Sequence, residues 1–229
     1  HKGAFYLGLR PEEYVSFAGE ETAVSLVTVD PDDRAVSGVP VLINVYERTW
    51  RTVRERTPDG EQRFVSEPDD RLVQTLGAGT GGDGTATFSF TPERSGEYRI
   101  VATARDGAGN TITSATSTWV SGGEYASWYI GNDDRIQLVA DKQEYALGDT
   151  ARILVAAPFA GSIGLVTQER GRLMNYELQP FRTNSETIEV PITSEHIPNV
   201  YVSVALFKPP TADNPRPQAK YGLVELRVS

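Results

Sequence analysis

The sequence predicts an all-β protein built as two tandem antiparallel β-sandwiches of the immunoglobulin and fibronectin type III kind. Three observations carry this. Almost every apolar stretch alternates with period two: Ala86, Phe88 and Phe90 against Thr87, Ser89 and Thr91; Tyr98, Ile100, Ala102 and Ala104; Ile188, Val190 and Ile192; Val200, Val202, Val204 and Leu206. Period two in Val, Ile, Thr, Tyr and Phe marks half-buried strands. Turn residues punctuate these runs at short intervals, as in Pro31-Asp32-Asp33, Asp59-Gly60, Gly81-Gly82-Asp83-Gly84 and Asp106-Gly107-Ala108-Gly109-Asn110, which is the spacing of a sandwich or barrel. No stretch has a helical period. Ser194-Glu195-His196-Ile197 is long enough for a single turn.

The first unit is expected over residues 1–122, with strands near 4–9, 22–29, 39–50, 71–76, 84–91, 96–104 and 112–120 and a long polar hairpin through 54–64. Residues 123–134 form a linker whose middle, Tyr125-Ala-Ser-Trp-Tyr-Ile130, is aromatic. The second unit is expected over 135–229, with seven strands near 136–140, 150–156, 162–168, 172–178, 186–192, 199–207 and 220–228. Residues 136–155 read as strand, charged corner, a reversal at Leu147-Gly148-Asp149, and strand. The aromatic linker predicts interdomain packing through Trp128, Tyr125 and Tyr129. A Trp or Tyr buries on the order of 150–250 Å², and at ~25 cal/mol per Å² Trp128 alone supplies several kcal/mol in a packed neck.

Composition excludes several classes of function. The 229 residues carry 22 Lys and Arg against 31 Asp and Glu, a formal net charge of −9. The basic residues are scattered, whereas phosphate binding needs them clustered, so nucleic acid is not an expected partner. There is no cysteine, which removes disulfides, thiolate nucleophiles and Cys-containing zinc sites together. No apolar run approaches the ~20 residues that span a bilayer. The chain begins with His1, so it is expected to be a processed product or an excised piece from which a signal or anchor has been removed. Any membrane association is expected only through such a missing anchor.

Candidate chemistry is sparse. His196 lies beside Ser194 and Glu195, but sequence neighbours on one turn point apart, and a triad needs convergence. No Gly-x-Ser-x-Gly elbow is present, so no catalytic residue and no cofactor are expected. Acidic pairs recur: Asp30, Asp32 and Asp33 in one turn, Asp69 and Asp70 in another, Asp133 and Asp134 in the linker. Calcium wants six to eight oxygens, but Asp is also the ordinary turn residue. If a metal site existed, Asp133 and Asp134 would be the first choice. Trp50 with Arg48 and Tyr46 is a candidate exposed binding patch, since Arg and aromatic rings suit stacking; a long strand with one open face explains the same alternation. The loop 209–219, with four prolines, reads as a proline-stiffened connection rather than a protease target, because Arg216 is followed by Pro217.

An ordered set of motifs narrows the family. Gly3-Ala-Phe-Tyr-Leu-Gly-Leu9, Gly38-Val-Pro-Val41, Trp50, Phe88-Ser-Phe-Thr91, Gly96-Glu-Tyr-Arg-Ile100 and Trp119-Val120 resemble a macroglobulin-like domain of bacterial alpha-2-macroglobulins. Asp141 to Val155, with its Asp-Lys-x-x-Tyr corner, Pro158-Phe159, Leu165-Val-Thr-Gln-Glu-Arg170, Pro198-Asn-Val-Tyr-Val-Ser-Val204 and Tyr221-Gly222 resemble the opening of that family's bait-region segment. The resemblance implies an extracytoplasmic, non-catalytic scaffold from a protease-trapping endopeptidase inhibitor. It implies partners that are other domains of the same parent chain and, through the full protein, target proteases. It places the pair as fourth and fifth in the domain array. The family's thioester needs a Cys, and the bait is expected downstream of Ser229, so neither centre is expected here. An immunoglobulin-like cell-surface adhesin or carbohydrate-binding module, resting on Trp50 and Tyr46, is the alternative. An accessory sandwich of a secreted enzyme is a third reading.

Overall fold

In the computed structural model, the described residues are 3–229 apart from 57, 58, 60, 61, 123, 132 and 211–215. Sixteen strands and one 3-10 turn are present among them. By internal contacts the chain falls into two compact units, residues 1–49 with 69–120, and residues 50–68 with 121–229.

The first unit contains β1 (Tyr6–Pro11), β2 (Val15–Phe17), β3 (Thr22–Val29), β4 (Pro40–Arg56), β5 (Gln62–Gly79), β6 (Thr85–Phe90), β7 (Gly96–Arg105) and β8 (Thr111–Ser121), with the outer parts of β4 and β5 counted in the second unit. They form a three-stranded sheet, β1-β3-β6, and a five-stranded sheet, β2-β8-β7-β4-β5. The second unit contains β9 (Gln137–Ala140), β10 (Glu144–Tyr145), β11 (Thr150–Ala156), β12 (Ser162–Glu169), β13 (Leu173–Phe181), β14 (Ser185–Pro191), β15 (Asn199–Lys208) and β16 (Gln218–Val228). Its sheets run β14-β11-β9 and β10-β16-β15-β12-β13. Adding eight to each strand number of the first unit gives the second, so one topology occurs twice.

Alternation decides which residues are inside. In the first unit Val24 and Leu26 from β3 meet Val41, Ile43 and Val45 from β4 and Tyr98, Ile100 and Ala102 from β7. In the second unit Ile153 and Val155, Ile188 and Val190, and Val200, Val202, Val204 and Leu206 do the same. Period two puts one face of each strand in the core. Tyr98 also fixes the entry to β7: its hydroxyl donates to the Arg94 carbonyl at 3.2 Å and accepts the Arg94 N–H at 3.3 Å. This is a tyrosine corner of the kind found in immunoglobulin-like sandwiches.

The corner at 141–149 has a physical explanation. β9 pairs with β11, whereas β10 pairs with β16, so the chain changes sheets between Ala140 and Glu144. Asp141 is buried, and its Oδ1 accepts the Tyr145 hydroxyl at 2.6 Å and the Arg152 N–H at 2.9 Å. The Lys142 N–H donates to the same Tyr145 hydroxyl at 3.1 Å. The Asp-Lys-x-x-Tyr pattern thus satisfies the backbone groups that the crossing would strand. Gly148 follows with φ 90°, the left-handed conformation that reverses the chain. Gly222 serves a close approach instead: a Cβ there would lie 2.8 Å from the Ile136 carbonyl oxygen.

Three expectations change. The second unit has eight strands rather than seven, because two-residue β10 is too short to show a period. The strands expected at 39–50 and 71–76 are the inner parts of one long hairpin, β4 and β5, of 17 and 18 residues. Asp69 and Asp70 therefore lie in strand, not in a turn. Part of the polar tip expected at 54–64 lies outside the described residues, as do Gly123, Asn132 and 211–215 of the proline-rich loop. Ser194–His196 forms the expected single turn.

Candidate functional site: a clamped aromatic segment

The sequence after β8 has no strand partner in the sandwich sheets, yet 124–130 is held along its length. Within the second unit, Asn184 immediately precedes β14 and is 1% exposed. Its Oδ1 accepts the Ala126 N–H at 2.9 Å and its Nδ2 donates to the Ala126 carbonyl at 2.7 Å. One carboxamide thereby stands in for a strand residue, supplying both a donor and an acceptor. The Asn184 carbonyl accepts the Trp128 indole N–H at 2.7 Å. Ser185 Oγ donates to the Glu124 carbonyl at 2.8 Å, and Ser121 Oγ donates to the Ser185 carbonyl at 2.8 Å.

The outer hairpin holds the other side. Ser127 Oγ accepts the Trp50 N–H at 2.9 Å and donates to the Trp50 carbonyl at 2.8 Å. Ser66 Oγ donates to the Ile130 carbonyl at 2.9 Å. The rings of Trp50 and Tyr129 meet edge to face, 5.1 Å apart at 74°, a favoured quadrupole geometry. Trp128 is 5% exposed, whereas Tyr125 is 71% and Tyr129 59% exposed. Val139, Leu154 and Ala156 alternate away from the sandwich core and are nevertheless buried. Part of the outer face of the three-stranded sheet is thus buried, while Arg152 and Glu189 on the same face stay solvent-accessible.

Trp50, Arg48 and Tyr46 are each half-buried rather than open. Arg48 forms a fork with Asp70, Nε to Oδ1 at 2.7 Å and Nη2 to Oδ2 at 2.8 Å, and lies 3.7 Å from Glu97. Hydrogen bonding to Arg48 holds the Asp70 carboxyl below the usual range, and the Asp70 bond raises the Arg48 guanidinium. Arg48 is engaged inside the protein. Asp133 Oδ1 accepts the Arg135 N–H at 3.3 Å, and Asp134 pairs with Lys220 at 3.3 Å. No group of three or more metal-type ligands occurs among the described residues. His196 is buried, its Nδ1 accepts the Thr193 N–H at 3.1 Å, and burial pushes its imidazole down in pKa. It serves as a turn cap.

A cleft of about 320 Å³ in the first unit is lined by Glu47, Arg71, Phe90, Glu93, Arg94 and Tyr98, among others. Glu47 and Arg71 pair across it. No nucleophile with an adjacent base faces it. Sequence reasoning missed Asn184, whose partners lie 58 and 56 residues away; Thr183-Asn184-Ser185 reads locally as turn residues only.

Comparison with known proteins gives two adjacent family matches. Residues 8–120 match the bacterial macroglobulin domain 6 model, and residues 136–229 match the alpha-2-macroglobulin bait region domain model. The number six replaces the fourth place expected from the sequence: sandwiches of one type share the alternation and turns that carried that expectation. An alpha-2-macroglobulin homolog of Nostoc sp. is 21% identical over 207 residues, 88% of this chain and 10% of that protein. One of Yersinia pestis is 20% identical over 97% of this chain and 11% of its own length. The alpha-2-macroglobulin of Ralstonia nicotianae is 36% identical over 95 residues, 42% of this chain and 6% of that protein. The chain thus spans about a tenth of the length of the first two. Among solved structures, native E. coli alpha-2-macroglobulin aligns over 99% of this chain and 15% of its own, with TM-score 0.47 and 19% identity. The D0–D1 domain of intimin aligns over 96% of this chain and 97% of its own, with TM-score 0.35 and 14% identity. Both scores are too low to choose between relatives. The two family models, in succession and covering all but residues 1–7 and 121–135, show that the chain belongs to the bacterial alpha-2-macroglobulin family, which is not a family of enzymes.

Proposed function

We propose that the chain is a scaffold segment of an extracytoplasmic protease-trapping inhibitor, with two macroglobulin-like sandwiches at 1–122 and 135–229 joined by the aromatic segment 123–134. The observation that carries this reading is the clamp. Residues 124–130 are bonded to Asn184 and Ser185 on one side and to Trp50 and Ser66 on the other. A fixed segment transmits displacement, as a scaffold must after its parent is cut. The second sandwich would carry the opening of the bait-region domain. Its partners would be other domains of the same polypeptide and, through the whole protein, endopeptidases. No helix among the described residues is long and apolar enough to cross a membrane.

The test is a trapping assay. An endopeptidase is mixed with the 229-residue chain and its cleavage of a protein substrate is followed. The chain alone is expected to leave the protease free, while the full-length natural polypeptide withdraws it. Stoichiometric protection by the chain alone would sink the reading. The adhesin alternative rested on an open Trp50 and Tyr46, and the half-burial of both, with Trp50 against Tyr129, gives it no support.

A further inference from the structure

The two sandwiches share one strand order but differ on the outer face of the five-stranded sheet. In the first unit that face is mixed: Leu42, Tyr46 and Val101 stand among charged and polar side chains. Arg48 pairs with Asp70, Arg99 with Asp70, and Thr75 bonds Asn44. Ser117 bonds Glu97 beside them. In the second unit the same face is apolar. Across β16, β15, β12 and β13 the register places Tyr221 opposite Ala205, Ala205 opposite Leu165, and Leu165 opposite Leu178. A second row sets Phe207 opposite Ile163, and Leu223 and Tyr176 extend the patch. Ile163, Tyr176, Leu178, Phe207, Tyr221 and Leu223 are 50–66% exposed. The fold does not require so apolar a face, because its twin sets the Arg48–Asp70 and Arg99–Asp70 ion pairs on equivalent strands.

We propose that this face docks the outer sheet of another β-sandwich of the same polypeptide. The proposal rests on the scaffold reading above. Four strands at ~4.8 Å spacing make a broad surface, which suits a second sheet face better than a single extended peptide. Exposed apolar patches beyond about 400 Å² mark interaction sites on soluble proteins, and the Tyr and Phe content is that of an interface centre. This chain spans about a tenth of the length of its Nostoc and Yersinia relatives, so comparable chains have many further residues to supply the partner. At one end of the patch Glu169 and Glu225 stand in register on either side of Tyr201.

Carbene footprinting of the 229-residue chain beside the full-length natural polypeptide tests this. The six side chains are expected to label strongly in the short chain and several-fold less in the full-length protein. Equal labelling in both overturns the proposal. Sedimentation of the short chain is the second arm, with a monomer expected at all concentrations. A dimer that Leu223→Glu abolishes would assign the face to a second copy and also overturn it. The trapping assay fails or succeeds independently of both, so loss of the docking face and loss of the scaffold reading are separable.

Discussion

Asn184 does with one side chain what a neighbouring strand would otherwise do, and removing it leaves the Ala126 N–H and C=O unpaired in a buried place. Unmet buried groups cost about 1–3 kcal/mol. Asn184→Ala is therefore expected to lower urea stability by that order, and Asn184→Asp to keep the acceptor but lose the donor to Ala126. An unchanged denaturation midpoint for both would contradict the clamp. Trp128→Ala removes a buried indole, at a cost of about 3–5 kcal/mol. Asp70 gives a pH test. Its folded pKa is lowered, chiefly by the bond from Arg48, so its stabilising effect is present above the unfolded value of ~3.9 and is lost as pH falls through the folded value. Asp70→Asn should thus be weaker than the natural chain at neutral pH, with the gap closing in acid. A gap that stays constant down to strong acid would exclude the linkage. The sequence singles out Trp128 as one of three aromatics within five residues, with the expectation of interdomain packing; its hydrogen bond to the Asn184 carbonyl lies within the second unit. Asn184 was not legible in the sequence, because its partner is distant and its local company is that of any turn.

At the scale of elements, the long hairpin was only half legible. Inside the sandwich β4 alternates Val41, Ile43 and Val45 into the core, and the apolar period shows it. Beyond Glu47 charged residues break the apolar period around Trp50 and Val53, and cross-strand pairs such as Arg51–Glu67 at 3.3 Å take its place. A period broken by charges does not register as a strand. The sheet-crossing β10 was hidden for another reason: two residues carry no period, although the Asp141–Tyr145 bond that makes the crossing was visible as a motif. The hairpin's contact with 124–130 gives an element-level prediction. Ser127→Ala removes both bonds between that side chain and the Trp50 backbone. Amide exchange at Trp50 is expected to accelerate severalfold, while Ile100 and Val202 in the two cores stay protected. Unaltered exchange at Trp50 would show that the rest of β4 suffices to hold it.

For the whole molecule, one strand order used twice means that composition, not topology, separates the two units. Each has its own apolar cluster, so each sandwich has the core that independent folding requires. The second unit nevertheless includes residues 50–68, which precede its own strands by more than half of the first unit. A chain restricted to 121–229 would retain every strand of the β9–β16 sandwich and would lose the Trp50 and Ser66 contacts to 127–130. It is expected to fold, because its core cluster is intact, but to melt below the corresponding transition in the 229-residue chain. Tyr129, deprived of Trp50, should become fully solvated. Supplying Trp128→Ala in both lengths separates the contributions: if the hairpin acts by holding 124–130 in place, the substitution costs less in the short chain, where the segment is already loosened. Differential scanning calorimetry of the four proteins measures this coupling directly. Equal melting of the short and long chains, with equal cost of Trp128→Ala in each, would mean that the hairpin rests on the second unit without stabilising it.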